Sequence, residues 1–327
     1  MEMKQFDIVI TGGGISGWLM YQRIKQCFGD NLSIIILDKS DELPVHPFHL
    51  HRLIPEIKPL SNIKDELLRV EIWDGKESKE TPSCFDVNAY SRKIFNHLNV
   101  SNINNAKNQI IYPITIEKLK SVIVNSSVFQ KSEIVNVDIK NNSINVKIGN
   151  FKEAIQYKYC INTISLPIFL NLCGLQTNIP FFHYPFWCSV HTMDNHTNLY
   201  QMIYNSGMES TITRTTLLNN KLFIEYCKNE RAVHEYDYLK ELYGIEIPLN
   251  TARRQLVPGR IVPLSNEQRK PLFYWLTQTH NVMCLGRYGA WTFKISNDVW
   301  DDTEFLCKLI YDKEQSCKYQ KGERDES

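Results

Sequence analysis

The sequence has no long hydrophobic run, almost no net charge and no closely paired cysteines. None of its apolar segments reaches the about 18 residues that a membrane-spanning helix requires. The formal net charge is +1, since 37 basic side chains offset 36 acidic ones, and this balance gives no indication of binding to nucleic acid or to an anionic membrane. The nine cysteines include no C-x-x-C pair, so we expect free thiols in a reducing compartment.

Several catalytic and targeting signals are missing as well. The sequence contains no G-x-S-x-G, no P-loop, no zinc-ligand spacing and no paired-carboxylate signature. Residues 1–6 carry charges and lack the apolar region of a signal peptide, so we expect a cytoplasmic protein. With 327 residues, 43% of them hydrophobic, the chain is long enough for two globular units.

A glycine-rich turn follows the first predicted strand. Residues 6–11 form a short apolar run that predicts a buried strand, and residues 18–28 have helical spacing. Between them, Gly12 permits a tight turn, Gly14 lets the backbone approach a pyrophosphate, and Gly17 lets the helix pack closely on the strand. The first turn of the helix would then offer N–H groups and a partial positive charge to the phosphates.

An acidic residue stands at the end of the second predicted strand, residues 32–37. Asp38 lies 21 residues after Gly17, where a carboxylate can accept hydrogen bonds from ribose hydroxyls and would repel the 2′-phosphate of NADP. We therefore predict a dinucleotide-binding site from the order of five features: a strand, a glycine turn, a helix, a second strand and an acid.

The middle of the chain favours FAD over NAD as that dinucleotide. Residues 132–148 alternate in polarity around Asn141-Asn142, which predicts a hairpin with a type I′ turn. Residues 157–164 predict a strand that returns to the first sheet. A dehydrogenase-type domain would instead continue with crossover helices, so we expect non-covalently bound FAD.

The predicted fold class is α/β, with a Rossmann-like FAD-binding domain around a central parallel sheet and a second domain with a mostly antiparallel β-sheet. Several β-rich runs between residues 176 and 275 predict the antiparallel sheet, with one face covered. The predicted segments are residues 1–60, 105–175 and 276–313 for the FAD-binding domain, 61–104 and 176–275 for the substrate domain, and 314–327 for a charged flexible tail.

Segments along the chain resemble known flavoprotein families. Residues 7–10 with the glycine turn resemble the FAD-binding start of glutathione-reductase-type proteins, and residues 161–167 resemble the strand that returns under the flavin in amine oxidases and protoporphyrinogen oxidases. Residues 286–291, Gly-Arg-Tyr-Gly-Ala-Trp, resemble the C-terminal flavin motif of UDP-galactopyranose mutases. Residues 88–93 and 203–215 also fit the mutase-like group.

Two other comparisons concern the start of the chain. The double glycine that usually follows the acid in these families is replaced by Lys39–Pro44. The Gly17-Trp18 pair resembles the sequence of flavin-dependent halogenases. The sequence has no W-x-W-x-x-P segment that would support this second resemblance.

The glycine turn and the resemblance together imply a set of cofactor contacts. The Gly-Arg pair of the C-terminal motif and a downstream acid, Asp298, would lie against the flavin and its ribityl chain. A positive charge from Arg287 would stabilise the anionic reduced flavin. The predicted cofactor-binding residues are Gly12, Gly13, Gly14, Ile15, Ser16, Gly17, Asp38, Lys39, Val135, Thr163, Gly286, Arg287, Tyr288 and Trp291.

A histidine cluster supplies two candidate catalytic residues, His49 and His51. It belongs to residues 42–60, which are rich in proline and histidine and predict an ordered loop near the FAD crevice. A histidine there could hydrogen-bond the flavin or move a proton, or could only satisfy backbone groups. No acid or cysteine pair completes a metal site, so we expect no bound metal.

Arg214 is the third candidate catalytic residue. It either recognises a carboxylate or phosphate, which arginine does well, or lies on the solvated face of a strand. Arg253, Arg254 and Arg260 are predicted to be surface residues.

Three hypotheses of function follow. The first is a FAD-dependent oxidoreductase that removes a hydride from a small or nucleotide-linked substrate. The second is a mutase-like enzyme that uses reduced flavin as a nucleophile on a sugar nucleotide without net redox change. The third is a flavin- or nucleotide-binding module without catalysis.

Overall fold

The computed structural model describes residues 3–40, 48–52, 66–97, 103, 107–193, 200–218, 220–229, 235–243 and 255–325. The chain divides into two compact units. The first comprises Met1–Leu43, Glu117–Phe181 and Leu264–Ser327, and the second comprises Pro44–Ile116 and Phe182–Pro263. No helix within the described ranges combines the length and the apolar character of a membrane span.

The strands of the described residues are, in chain order, β1 Lys4–Thr11, β2 Ile34–Asp38, β3 Phe48–Arg52, β4 Glu66–Trp73, β5 Ser78–Lys79, β6 Gln109–Thr115, β7 Phe129–Lys131, β8 Glu133–Asp138, β9 Ser143–Ile148, β10 Phe151–Asn162, β11 His183–Thr192, β12 Tyr200–Asn205, β13 Ile212–Leu218, β14 Lys221–Tyr226, β15 Gln255–Ile261 and β16 Val282–Cys284.

The helices are α1 Ile15–Phe28, α2 Cys84–Phe95, α3 Ile116–Val124, α4 Leu166–Leu172, α5 Glu235–Tyr243, α6 Asn266–His280, α7 Gly286–Gly289 and α8 Ser296–Asp325.

A sheet with a parallel core organises the first unit. Its strand order is β7-β2-β1-β10-β9-β8, and β16 also pairs with β10. The strands β7, β2, β1, β10 and β16 run parallel, whereas β8 and β9 continue the sheet in antiparallel pairs. Ile8, Val9 and Ile10 are fully buried, as expected for a central parallel strand covered on both faces. The predicted Rossmann-like parallel sheet is confirmed.

The last helix packs along the first one. Arg23 of α1 donates to Thr303 Oγ1 of α8 at 3.3 Å, and its guanidinium carbon lies 3.7 Å from the centroid of the Trp300 ring. Near residue 314, where a flexible tail was predicted, Glu314 accepts hydrogen bonds from Lys158 at 2.6 Å and from Tyr159 at 2.8 Å. The tail prediction is therefore corrected, because α8 continues to Asp325.

The second unit is organised by a mostly antiparallel sheet, as predicted. Its strand order is β15-β11-β14-β13-β12-β4-β6-β3, with β5 beside β4. Neighbouring strands pair antiparallel except for β12 and β4, which are parallel. The β-rich runs predicted between residues 176 and 275 include the strands β11 to β14.

Helices pack on both faces of this second sheet, although only one covered face was predicted. On one face, Tyr238 of α5 meets Trp73 edge-on, with ring centroids 5.9 Å apart. On the other, Tyr90 of α2 meets Tyr204 edge-on at 5.5 Å. Each face of the second sheet is therefore covered in part by a helix.

A buried capping box starts α2. The Ser83 hydroxyl accepts from the Asp86 backbone N–H at 3.2 Å, and the Asp86 carboxylate accepts from the Ser83 backbone N–H at 2.9 Å. Ser206 also donates to Asp86 at 3.0 Å. Burial raises the pKa of Asp86, but these hydrogen bonds outweigh it and hold that pKa below its usual value. Asp86 therefore stays charged while it caps the helix.

Two predicted local structures are corrected. The hairpin of β8 and β9 closes through residues 139–142, since Asp138 pairs with Ser143. Of those four residues Asn142 alone has positive φ, at 51°, whereas a type I′ turn needs two such residues. In the predicted loop 42–60, residues 48–52 form a strand, and the remainder lies outside the described residues.

The unit boundaries also differ from the predicted ones. The chain passes between units after residues 43, 116, 181 and 263, rather than after 60, 104, 175 and 275. The last difference arises because α6, which the sequence analysis missed, belongs to the first unit and packs on β16.

Candidate functional site

The carboxyl ends of parallel strands define the candidate site in the first unit. β1, β2 and β10 run side by side, and each ends next to a residue predicted to contact a cofactor. Beyond β1 lies the glycine turn, β2 ends at Asp38, and Thr163 follows β10 directly. Ligands of doubly wound α/β folds bind at this edge of the sheet.

Gly12 and Gly17 close the turn between β1 and α1. The backbone of Gly12 has φ +106°, and a Cβ there would lie 2.4 Å from Thr163 Oγ1. Thr163 in turn donates to the carbonyl oxygens of Thr11 at 2.7 Å and of Gly12 at 3.1 Å. A Cβ at Gly17 would lie 2.1 Å from the Gly12 carbonyl oxygen. Both glycines are needed for the close approach of helix and strand.

Gly14 serves a different purpose from its neighbours. A Cβ at this position would meet no heavy atom within 4 Å. Its φ of −85° is one that any residue can adopt, so neither packing nor backbone geometry within the described residues requires glycine here. Gly14 is the N-cap of α1, and no side chain caps the helix. The space beside the helix start is thus open at the position where a phosphate would approach.

Asp38 lies against the same turn. Its Oδ2 atom accepts from the Gly13 backbone N–H at 2.5 Å, and its Oδ1 atom accepts from the Ser40 backbone N–H at 3.0 Å. Two backbone donors therefore fix the carboxylate beside the glycine turn.

The C-terminal Gly-Arg-Tyr-Gly segment packs onto the glycine turn. A Cβ at Gly286, which has φ +82°, would lie 2.2 Å from Ser16 Oγ in α1. A Cβ at Gly289 would lie 2.5 Å from the Asn162 carbonyl oxygen and 3.0 Å from the Thr163 Cα atom. Ser16 and Gly286, which are 270 positions apart in the sequence, therefore meet at one place, which the resemblance implied and the spacing alone did not.

The remaining residues of that segment differ in exposure. Trp291 is buried at 2% exposure and has φ +46°, and its ring meets Phe181 edge-on with centroids 5.2 Å apart. Tyr288 is 38% exposed, and Arg287 is half-buried in α7. Asp298 accepts from the Ile295 backbone N–H at 2.9 Å, which makes it a cap of α8.

Two predicted contacts lie on the surface of the first unit. Lys39 is exposed immediately after Asp38. Val135 is 45% exposed at a β-bulge of β8. The chain before it does reach the acid, since the Ser132 backbone N–H donates to the Asp38 carbonyl oxygen at 2.7 Å.

The thiols near the end of β10 are not nucleophiles at neutral pH. Burial raises the pKa of Cys284 to about 12 and that of Cys173 to about 12. Burial also raises the pKa of Cys160 well above its usual value. All three remain protonated, so thiolate chemistry is not available from them.

The residues of the glycine turn fit a dinucleotide. The open approach at Gly14 and the lack of a side-chain cap at the start of α1 suit a pyrophosphate. The fixed carboxylate of Asp38 suits a ribose. Gly286 and Gly289 let α7, part of the segment that resembles the flavin motif, approach Ser16 and the Asn162 carbonyl oxygen closely.

Arg214 is not on a solvated face but in a charged cluster of the second unit. Its Nε atom donates to Glu225 Oε1 at 3.0 Å, and Arg260 forms an ion pair with Glu225 Oε2. Arg260 also donates to Thr213 Oγ1 at 2.9 Å. The Glu225 side chain is only 7% exposed. The prediction that Arg260 is a surface residue is corrected, since its side chain is 14% exposed.

Strand register explains how this cluster forms. Tyr204, Arg214, Glu225 and Cys188 are mutual partners across β12, β13, β14 and β11, so their side chains share one face. The cluster was missed because Glu225 follows Arg214 by 11 residues, and only the pairing of β13 with β14 brings the two opposite each other.

The backbone of β3 gives the position of the two candidate histidines. His49 and His51 lie in β3, which pairs with β6 at the edge of the second sheet. They belong to the second unit and not to the unit that contains Asp38. Arg253 and Arg254 lie outside the described residues.

Comparison with known proteins identifies the fold. No protein-family model and no curated protein matches the sequence. Among solved structures, reduced UDP-galactopyranose mutase is similar with a TM-score of 0.59 and 10% identity, over 93% of this chain and 94% of that one. A geranylgeranyl bacteriochlorophyll reductase-like protein from Thermoplasma acidophilum gives 0.58 and 12%, over 97% and 81%. The flavin-dependent brominase Bmp2 gives 0.56 and 11%, over 94% and 80%.

These similarities extend over nearly the whole chain and include both units. At 10–12% identity they show a shared fold. In this chain the shared fold consists of a Rossmann-like sheet and a second, mostly antiparallel sheet.

Proposed function

We propose that the chain is a flavoprotein that binds FAD non-covalently and acts as an oxidoreductase on a small or nucleotide-linked substrate. The observation that supports this most strongly is the open space at Gly14, in a glycine turn whose other two glycines are required by packing. An unfilled position at an uncapped helix start is explained by a ligand that approaches the backbone there.

Each part of the turn has a distinct task in this proposal. Backbone N–H groups at the start of α1 hold the pyrophosphate. Asp38 orients the adenosine ribose through its carboxylate, which the Gly13 and Ser40 N–H groups hold in place. Arg287, at the α7 segment packed on Ser16, supplies positive charge toward the flavin ring.

The chemistry that FAD would supply is acceptance of the hydride of a substrate C–H bond, with a proton lost from the adjacent N–H or C–H, so that a C–N or C–C single bond becomes a double bond and the electrons pass on to oxygen or another acceptor. The protein contributes binding, orientation and the charge of Arg287. The similarity in fold to a flavin-dependent brominase, a reductase-like protein and a mutase is consistent with a flavoenzyme role.

A direct test is to add FAD and FMN separately to the purified protein. FMN lacks the pyrophosphate-linked adenosine that Asp38 and the glycine turn would hold, so FAD should be retained after gel filtration and FMN should not. Retention is measured by absorbance at about 450 nm, where the oxidised flavin absorbs. A protein that retains neither flavin, or both equally, would contradict the proposal.

The similarity to UDP-galactopyranose mutase, which covers 94% of that chain, favours a second candidate function. A mutase-like enzyme would act on a sugar nucleotide only after its flavin is reduced, with no net oxidation of substrate. Turnover that begins only after dithionite treatment would favour the mutase. Bleaching of the oxidised flavin by substrate under anaerobic conditions would favour the oxidoreductase.

A further inference from the structure

The Arg214–Glu225–Arg260 cluster of the second unit has more positive than negative charge. Glu225 uses Oε1 for Arg214 and Oε2 for Arg260, so both of its oxygens are already engaged. One carboxylate cannot neutralise two guanidinium groups, and the three side chains carry a net charge of +1. Guanidinium groups stay protonated in proteins, so this charge is permanent.

A second observation points to a missing acceptor. The Nη1 atom of Arg260 is buried and has no hydrogen-bond partner among the residues that the structure describes. Leaving a buried donor of a charged group without an acceptor is costly. Buried polar atoms that lack a protein partner in a native fold commonly meet a ligand, an ion or water.

Aromatic rings hold the two guanidinium groups in place. The guanidinium carbon of Arg260 lies 4.8 Å from the centroid of the Phe186 ring, and that of Arg214 lies 5.8 Å from the centroid of the Tyr204 ring. Both distances lie within the about 6 Å of a cation–π interaction, which uses none of the N–H donors of the guanidinium groups. The side chains of Arg214 and Arg260 keep exposures of 25% and 14%, so part of the cluster borders solvent.

We propose that Arg260 and Arg214 bind an oxyanion, a carboxylate or a phosphate, carried by a small-molecule ligand. An oxyanion would supply the acceptor that Arg260 Nη1 lacks and would neutralise the excess charge. That this ligand is the substrate of the flavoenzyme rests on the proposed function, whereas the binding of the anion itself does not.

The test is calorimetric titration of the full-length, FAD-saturated protein with inorganic phosphate and, separately, with acetate, at constant ionic strength in chloride buffer. We expect one of the two anions to bind saturably with one site per chain. The tighter of the two identifies the source of the oxyanion as phosphate or carboxylate. If neither binds more than chloride does, the proposal is wrong.

Three variants locate the binding. Arg260→Gln should weaken it at least tenfold, because a charge-assisted hydrogen bond is lost. Glu225→Gln should tighten it, because both guanidinium groups are then uncompensated. Arg69→Gln, which removes an exposed arginine from β4 of the same sheet, should leave it unchanged. Equal affinities in the first and third variants would overturn the assignment.

Folding and flavin binding are monitored on the same samples. If Arg260→Gln fails to unfold cooperatively, Arg260→Lys decides, since it retains charge opposite Glu225 but lacks the planar second donor. The affinity of that variant for the anion should still be at least tenfold weaker than that of the wild type. An unchanged affinity would refute the role of Nη1. Flavin uptake, measured by absorbance at about 450 nm, does not depend on the affinity for the anion. Anion binding by a protein that takes up no flavin would refute the proposed function alone.

Discussion

Replacing Gly14 by valine tests the dinucleotide site without disturbing the fold. The new side chain would enter space that holds no heavy atom within 4 Å of its Cβ, and the φ of −85° suits a branched residue. Valine is a poorer N-cap than glycine, so we expect a loss of about 1 kcal/mol in the free energy of unfolding. The branched side chain would, however, occupy the position of the pyrophosphate.

The expected effect on FAD binding is much larger. Displacing the pyrophosphate from two backbone donors removes two hydrogen bonds to a charged group, at about 1.5–3 kcal/mol each. A loss of about 3 kcal/mol or more corresponds to an affinity at least about 100-fold weaker. Calorimetric titration with FAD measures the affinity, and circular dichroism during thermal unfolding measures stability.

Two further substitutions serve as controls for this experiment. Lys140→Val places the same side chain at an exposed position in the β8–β9 loop and should leave FAD affinity unchanged. Gly17→Ala should instead destabilise the protein strongly, because its Cβ would lie 2.1 Å from the Gly12 carbonyl oxygen. If Gly14→Val folds and binds FAD within threefold of the wild type, the reasoning from the open space is refuted.

Three other changes have defined outcomes. Asp38→Ala should weaken FAD at least tenfold through the lost ribose contact, while binding of FMN stays as weak as in the wild type, and equal titrations of wild type and variant would contradict this. Gly286→Ala should lower the melting temperature by several degrees, because a left-handed backbone and a Cβ at 2.2 Å from Ser16 Oγ are both unfavourable; an unchanged melting curve would show that α7 does not pack as described. Because the pKa of Asp86 is lowered in the folded state, its contribution to stability is present above the ordinary aspartate pKa of about 3.9 and is lost as the pH falls through the lower folded value. Asp86→Asn should therefore reduce stability at pH 7 by about 1 kcal/mol and flatten the acid side of a stability-against-pH curve, and parallel curves for the two proteins would exclude this role.

Local patterns were sufficient to predict the elements that carry the candidate site. These elements are β1, the glycine turn, α1 and β2. Their sequence spacing follows from steric requirements between residues within about 30 positions of each other. The same holds for the alternating strands β11 to β14. Glu314 shows the limit: in the sequence it belongs to a charged segment, yet in the structure it is bonded to β10.

The sequence by itself predicted the glycine turn between β1 and α1, because the steric demands of such a turn are met by adjacent residues. Tertiary structure alone decided that Gly286 lies against Ser16 and that Arg214 and Arg260 share Glu225. These contacts depend on strand order and on register between distant segments. No pattern within one segment records which strand will lie beside it, so such sites become visible only after the sheets have formed.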